Sequence, residues 1–235
     1  MTRIIIAGDS WGAHSYERDY VHKDLEGFKW KPKKNYVLYP GPGDFLSKLT
    51  PIEVITVADH GVSNTEAFDN LNKVDHSKDI VIFYKTGLLR EVYKAYLDKK
   101  STHHTDDCKA DFEHYSEIFY KRCSNIKAKH FCLIGGCSEI QMHQAKKYNI
   151  NVLEQSITKW LMPDANFTDN IFDPTVYWLE YQYKCDYFKK AVIGSYDKIE
   201  FWNKNVKEFC KKHPTVESNK KIAKRIYEYV TDKLA

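Results

Sequence analysis

The sequence predicts an α/β fold: a parallel sheet with helices on both faces. Five short apolar runs, Arg3 to Ala7, Glu53 to Ala58, Asp79 to Tyr84, Lys129 to Ile134 and Asn151 to Leu153, alternate with stretches of helical periodicity. The first run is rich in β-branched residues and stops abruptly at Gly8-Asp9-Ser10, as a buried strand entering a turn does. Alternation of this kind joins neighbouring strands by right-handed crossovers.

Each element follows from its own pattern. Between the third and fourth runs, Phe112, Tyr115, Ile118, Phe119, Cys123 and Ile126 make one apolar stripe behind a Thr105 cap and an acidic first turn. Beyond the fifth run the pattern is helical through Val176 to Lys190 and Lys198 to Lys211, and a further helix follows Pro214. In that helix Ile222, Ile226, Val230 and Leu234 recur every four residues, while Lys220, Lys221, Lys224 and Arg225 fall mostly on other faces, as in an amphipathic helix that covers a sheet. Trp11 to Tyr39 has no clean period and reads as a long loop with short helical pieces. No repeat, low-complexity tract or linker divides residues 1–235, so the chain reads as one domain.

Composition narrows the function classes. With 43% hydrophobic and 29% charged residues, the chain is a globular protein rather than a disordered or collagen-like one. A net charge of +4, spread among acids, marks neither a nucleic-acid surface nor a membrane surface. Met1 to Ala7 is too short for a signal peptide or a membrane span, so a cytoplasmic protein is expected. The six cysteines, at 108, 123, 132, 137, 185 and 210, include no C-x-x-C pair and read as reduced thiols. Most of the seventeen tyrosines and twelve phenylalanines sit at helical spacing, where they pack cores.

Candidate chemistry begins at the first turn. In an open parallel sheet, ligands bind beyond the carboxyl ends of the strands. Gly8-Asp9-Ser10-Trp11-Gly12 places a hydroxyl there, between glycines that permit tight backbone geometry. A serine nucleophile needs a base, and among ten histidines His213 stands out, because Pro214 follows it and a helix opens there. Either half alone is an ordinary turn or surface feature. Together, about two hundred residues apart, they form a more specific pair.

In order and context these motifs resemble the SGNH (GDSL-like) hydrolase superfamily over most of the chain. Gly8-Asp9-Ser10 is similar to the family's first block, with Ser10 at the nucleophile position. Asp59-His60-Gly61-Val62-Ser63 is similar to the second block, which gives Gly61 the role of an oxyanion-hole donor beside the Ser10 N–H. His213-Pro214 resembles the last block, whose histidine is the general base. The resemblance implies a three-layer α/β/α, flavodoxin-like five-stranded parallel sheet of order 2-1-3-4-5. It also implies a serine esterase acting on a small-molecule or carbohydrate O-ester, with neither metal nor organic cofactor.

Two departures from the family pattern bear on rate. The third block should end in G-x-N-D, whereas the chain reads Tyr84-Lys85-Thr86-Gly87-Leu88, so either Thr86 or nothing stands in for the missing asparagine. The acid expected three residues before the histidine is Cys210. Loss of one oxyanion donor costs on the order of a hundredfold in rate, and loss of the orienting acid removes control of the imidazole tautomer. The alternative is therefore a catalytically impaired SGNH-like domain that binds a ligand or protein.

Other clusters yield weaker readings. His103-His104-Thr105-Asp106-Asp107-Cys108 holds five metal-ligand types, but they are contiguous and the acids suit a helix start, so no metal is assigned. Gly135-Gly136-Cys137 reads as a strand-end turn with structural glycines. Asp164, Asp169 and Asp173 read as a polar loop that is also able to supply a remote carboxylate. A nucleotide-binding protein of similar topology would carry a phosphate loop in place of Gly-Asp-Ser-Trp.

Overall fold

The expected β-branched runs are strands of one sheet. The computed structural model describes residues 2–9, 11–13, 15–17, 37–60, 62–88, 91–92, 108–136, 139–161, 209–210 and 213–234. Along the chain the strands are β1 (Ile4–Gly8), β2 (Ser15–Glu17), β3 (Val37–Tyr39), β4 (Val54–Thr56), β5 (Ile80–Lys85), β6 (His130–Gly135), β7 (Asn151–Glu154), β8 (Phe209–Cys210) and β9 (His213–Pro214). The sheet runs β4-β1-β5-β6-β7 with every pair parallel, which is the 2-1-3-4-5 order when its strands are counted along the chain. β1 and β5 are buried at every position, because central parallel strands are covered on both faces.

Alternation along the strands sorts two cores. Ile4, Ile6, Ile80, Ile82, Tyr84, Cys132 and Ile134 face one way. Ile5, Ala7, Val81, Phe83 and Leu133 face the other. The helices are α1 (Pro42–Leu49), α2 (Asn64–Asn72), α3 (Cys108–Ser124), α4 (Met142–Lys147), α5 (Ile157–Leu161) and α6 (Val216–Leu234). α1, α5 and α6 cover the first face through Leu46, Ile157, Ile222, Ala223, Ile226 and Val230. α2, α3 and α4 cover the second through Phe68, Leu71, Phe119, Tyr120 and Ala145, with Phe68 stacked on Phe83 at 4.6 Å. Each fully buried large apolar side chain contributes about 1.5–3 kcal/mol, so the three-layer α/β/α sandwich rests mainly on these two faces.

Caps and ion pairs set the helix ends. The Ser63 hydroxyl accepts the Glu66 N–H while the Glu66 carboxylate accepts the Ser63 N–H, a capping box that starts α2. Thr215 starts α6, its Oγ1 accepting from Ser218 N and its carbonyl from Asn219 N at 2.8 Å. Farther along α6, the Arg225 guanidinium meets Glu154 of β7 at 2.6 Å. Among the described residues no helix is long and apolar enough to cross a membrane.

Two local expectations change. Within 11–39, Ser15–Glu17 and Val37–Tyr39 pair as antiparallel strands, Tyr16 opposite Leu38, where short helical pieces were expected. Phe209–Cys210 pairs with His213–Pro214, so the helical pattern of Lys198 to Lys211 does not carry through its end. In both places pairing with another segment sets the local structure, and in the second it overrides a helical pattern. Thr105 and the Val176 to Lys190 run lie outside the described residues.

Candidate active site at the carboxyl edge of the sheet

β1 ends in a tightly wound turn. Gly8 has φ +119°, which a side chain would strain, and a Cβ there would also lie 2.7 Å from Tyr84 Cβ. Asp9 is fully buried and closes the turn from within. Its Oδ1 accepts the Trp11 N–H at 3.1 Å, and its carbonyl accepts from Gly12 N at 3.0 Å and Ala13 N at 3.2 Å. The Asp of the Gly-Asp-Ser motif is thus an Asx-turn former, turned inward. Ser10 itself lies outside the described residues, between Asp9 and the buried Trp11.

The loop after β4 joins the turn directly. The Asp59 N–H donates to the Gly8 carbonyl at 3.2 Å, and Asp59 Oδ1 accepts the His60 N–H at 2.7 Å. The first and second motifs therefore touch. Gly61 is outside the described residues. Beyond it, α2 is held by the segment after β5: the Thr65 N–H donates to Glu91 Oε1 at 2.9 Å, so Glu91 occupies a donor at that helix start.

Thr86 is fully buried, and its backbone is spoken for. Asn64 Oδ1 accepts the Thr86 N–H at 3.0 Å and Asn64 Nδ2 donates to the Thr86 carbonyl at 3.2 Å. An oxyanion role for Thr86 then rests on its hydroxyl.

His213 is half-buried and sits across from Cys210 in the β8–β9 pair, two residues ahead of the Thr215 cap. The start of α6 is fixed by Asn219, whose Nδ2 donates to the Pro40 carbonyl at 3.1 Å. Pro40 leads into α1, whose Gly43 packs on the Thr56 hydroxyl at the end of β4. This chain of contacts puts the His213 segment at the carboxyl edge of the sheet, the edge where Gly8 and Asp9 lie. Asp164, Asp169 and Asp173, the remote carboxylates, are outside the described residues.

The same edge holds buried polar groups that sequence reasoning passed over. Lys85, at the end of the central strand, is 2% exposed and donates from Nζ to the Glu139 carbonyl at 2.9 Å. The buried Glu139 carboxylate pairs with Lys159 and accepts from Gln155 Nε2 at 3.3 Å. The only signal was a lysine continuing the apolar run Ile80 to Tyr84, a place where strands often emerge into solvent. Next to it, the Tyr84 hydroxyl is buried with no hydrogen-bond partner among the described residues, and burial, with Cys132 and Asp9 nearby, pushes the phenol well above its ordinary pKa. Gly136 sits against the Lys85 carbonyl and the Trp11 side chain, in keeping with a packing glycine. Cys137 and residues 103–107 of the contiguous ligand run are outside the described residues, and among the described residues no three metal-ligand side chains gather.

In comparisons with known proteins, the chain matches no family model, no curated protein and no solved structure.

Proposed function

We propose that the protein is a serine hydrolase of the SGNH type that cleaves an O-ester of a small molecule or carbohydrate through an acyl-enzyme on Ser10. His213 takes the Ser10 proton as Oγ attacks the acyl carbonyl. The Ser10 and Gly61 N–H groups, with the Thr86 hydroxyl, stabilise the oxyanion. Collapse of the tetrahedral intermediate expels the alcohol, which leaves with the proton from the imidazolium. Water, deprotonated by His213, then attacks the acyl-enzyme and releases the acid. The buried free thiols Cys123 and Cys132 fit a reducing, cytoplasmic setting.

The observation that carries this reading is the hydrogen bond from Asp59 to the Gly8 carbonyl, which keeps the first two motifs together at the edge where ligands bind in such sheets. Its test is intact-protein mass after treatment with a fluorophosphonate, for the native chain, Ser10→Ala and His213→Ala. A single adduct lost in both variants is the expected result. No adduct on folded protein, beside a labelled control hydrolase, overturns it.

A non-catalytic SGNH-like binder is the second reading, and the capture of the Thr86 amide by Asn64 favours it by removing one backbone oxyanion donor. Folded protein inert to the fluorophosphonate is the outcome that selects it.

A further inference from the structure

Both glycines of Gly8-Asp9-Ser10-Trp11-Gly12 pack against one residue. Tyr84 is the strand partner of Gly8, and the space a Gly8 side chain would need is filled mainly by the Tyr84 backbone, its carbonyl oxygen nearest and its N at 2.8 Å, with its Cβ at 2.7 Å. Four residues on, a Cβ at Gly12 would lie 2.7 Å from Tyr84 Cδ2 and 3.1 Å from Cγ. The turn thus starts against the backbone and Cβ of Tyr84 and ends against its ring, with Asp9 hydrogen bonds closing it between them. Trp11 belongs to the same buried cluster as Tyr84, so the residue after Ser10 is also seated in this core.

The ring and the hydroxyl play different parts. The ring packs under Gly12, while the hydroxyl is buried with no hydrogen-bond partner among the described residues. What Tyr84 contributes to reaction then passes through the backbone its ring supports.

We infer that Tyr84 is the positioning residue for the nucleophile: its ring supports the Gly12 end of the turn to which Ser10 belongs, and its hydroxyl is not needed for this. The inference rests on the assignment of Ser10 as nucleophile. Misplacement of a reacting group by about 1 Å costs on the order of a hundredfold in rate, so small changes at this contact should be visible in Ser10 reactivity.

The test is the rate of fluorophosphonate labelling as a function of pH for native protein, Tyr84→Phe, Tyr84→Ala and Gly12→Ala, with the folded fraction of each measured by denaturant melts. Tyr84→Phe, which keeps the ring, should label as the native protein does. Gly12→Ala and Tyr84→Ala should label about tenfold more slowly or worse, with the pH midpoint unchanged, because the base is untouched and only geometry is lost. Native-rate labelling of folded Gly12→Ala, or of folded Tyr84→Ala, overturns the inference. If Tyr84→Ala does not fold, Gly12→Ala decides alone.

An unlabelled native chain would instead be a failure of the Ser10 assignment. Melting of the two single variants and the Tyr84→Ala/Gly12→Ala double variant then reads the contact separately. A Gly12→Ala cost that shrinks when the ring is gone supports ring control of the turn, and strictly additive costs overturn it.

Discussion

The carboxamide of Asn64 grips the peptide backbone of Thr86 from both sides, accepting its N–H at 3.0 Å and donating to its carbonyl at 3.2 Å. Asn64 is the first residue of α2 and Thr86 the first beyond β5, so this clamp fixes a helix start against the end of the central strand. Both residues are buried, so removing the amide strands the Thr86 backbone groups away from solvent. Asn64→Ala should therefore lower the unfolding free energy by about 1–3 kcal/mol, measured by urea titration. An unchanged midpoint and slope would show that the clamp contributes nothing net.

Gly43 offers a paired test on the other face. A side chain there would collide with the Thr56 hydroxyl, which sits where β4 ends. Gly43→Ala should cost about 1–3 kcal/mol through overpacking. Adding Thr56→Ala removes the obstructing oxygen and should recover most of that loss. Equal costs in the two backgrounds would mean that some other contact sets the limit.

Asp79 makes the fold sensitive to acid. Burial pushes its carboxyl up, but the Arg3 guanidinium at 2.6 Å and the Arg3 backbone N–H at 2.8 Å outweigh that and hold it below the usual carboxylate range. A depressed folded-state pKa means the contribution is fully present above the unfolded value, about 3.9, and is lost as pH falls through the folded one. The stability gap between native protein and Asp79→Asn should be largest near neutrality and close in acid. A gap independent of pH would contradict the assignment.

The two described free cysteines should be chemically silent in the folded protein. Burial pushes the Cys132 thiol up to about 12 and holds Cys123 well above its ordinary value, against the nearby Tyr229 hydroxyl in the first case and the nearby Lys85 charge in the second. At pH 8 the Cys132 thiolate fraction is on the order of one in ten thousand. Iodoacetamide should modify neither residue until guanidinium unfolds the chain, as peptide mapping will report. Rapid native alkylation at either position would show that its strand or helix opens readily.

The middle of the sheet was legible in the sequence because β1 and β5 are short apolar runs buried on both faces, so pattern and burial agree. The stripe through Phe112, Phe119 and Cys123 and the four-residue repeat from Ile222 to Val230 were legible for the same reason, since those faces meet the cores, although Ile118 of the stripe and Leu234 at the end of the repeat are exposed. What was not legible depends on partners remote in the chain. Neither Ser15–Glu17 nor Phe209–Cys210 has a strand pattern strong enough to announce its pairing. Asn64 and Lys85 are polar residues whose ordinary place is solvent, and only the assembled edge supplies the partners that let them be buried. Of the residues assigned to chemistry, Thr86 and His213 fall among those described. The Asn64 clamp on Thr86 joins residues 22 apart, a relationship no local motif encodes.

The hydrogen bond from Asn219 to Pro40 spans 179 residues, and it has a bearing on how the molecule is made. The face formed by Ile4, Ile6, Ile80 and Ile82 gets much of its cover from Ile222, Ala223, Ile226 and Val230. During synthesis the α6 segment leaves the ribosome after the strands it covers, so a chain that has emerged only as far as β7 carries an open apolar sheet face. Such surfaces invite association with other nascent chains and with chaperones, and closure over so long a loop is slow. His213 rides on the same segment, so covering the core and bringing in the proposed base become one event.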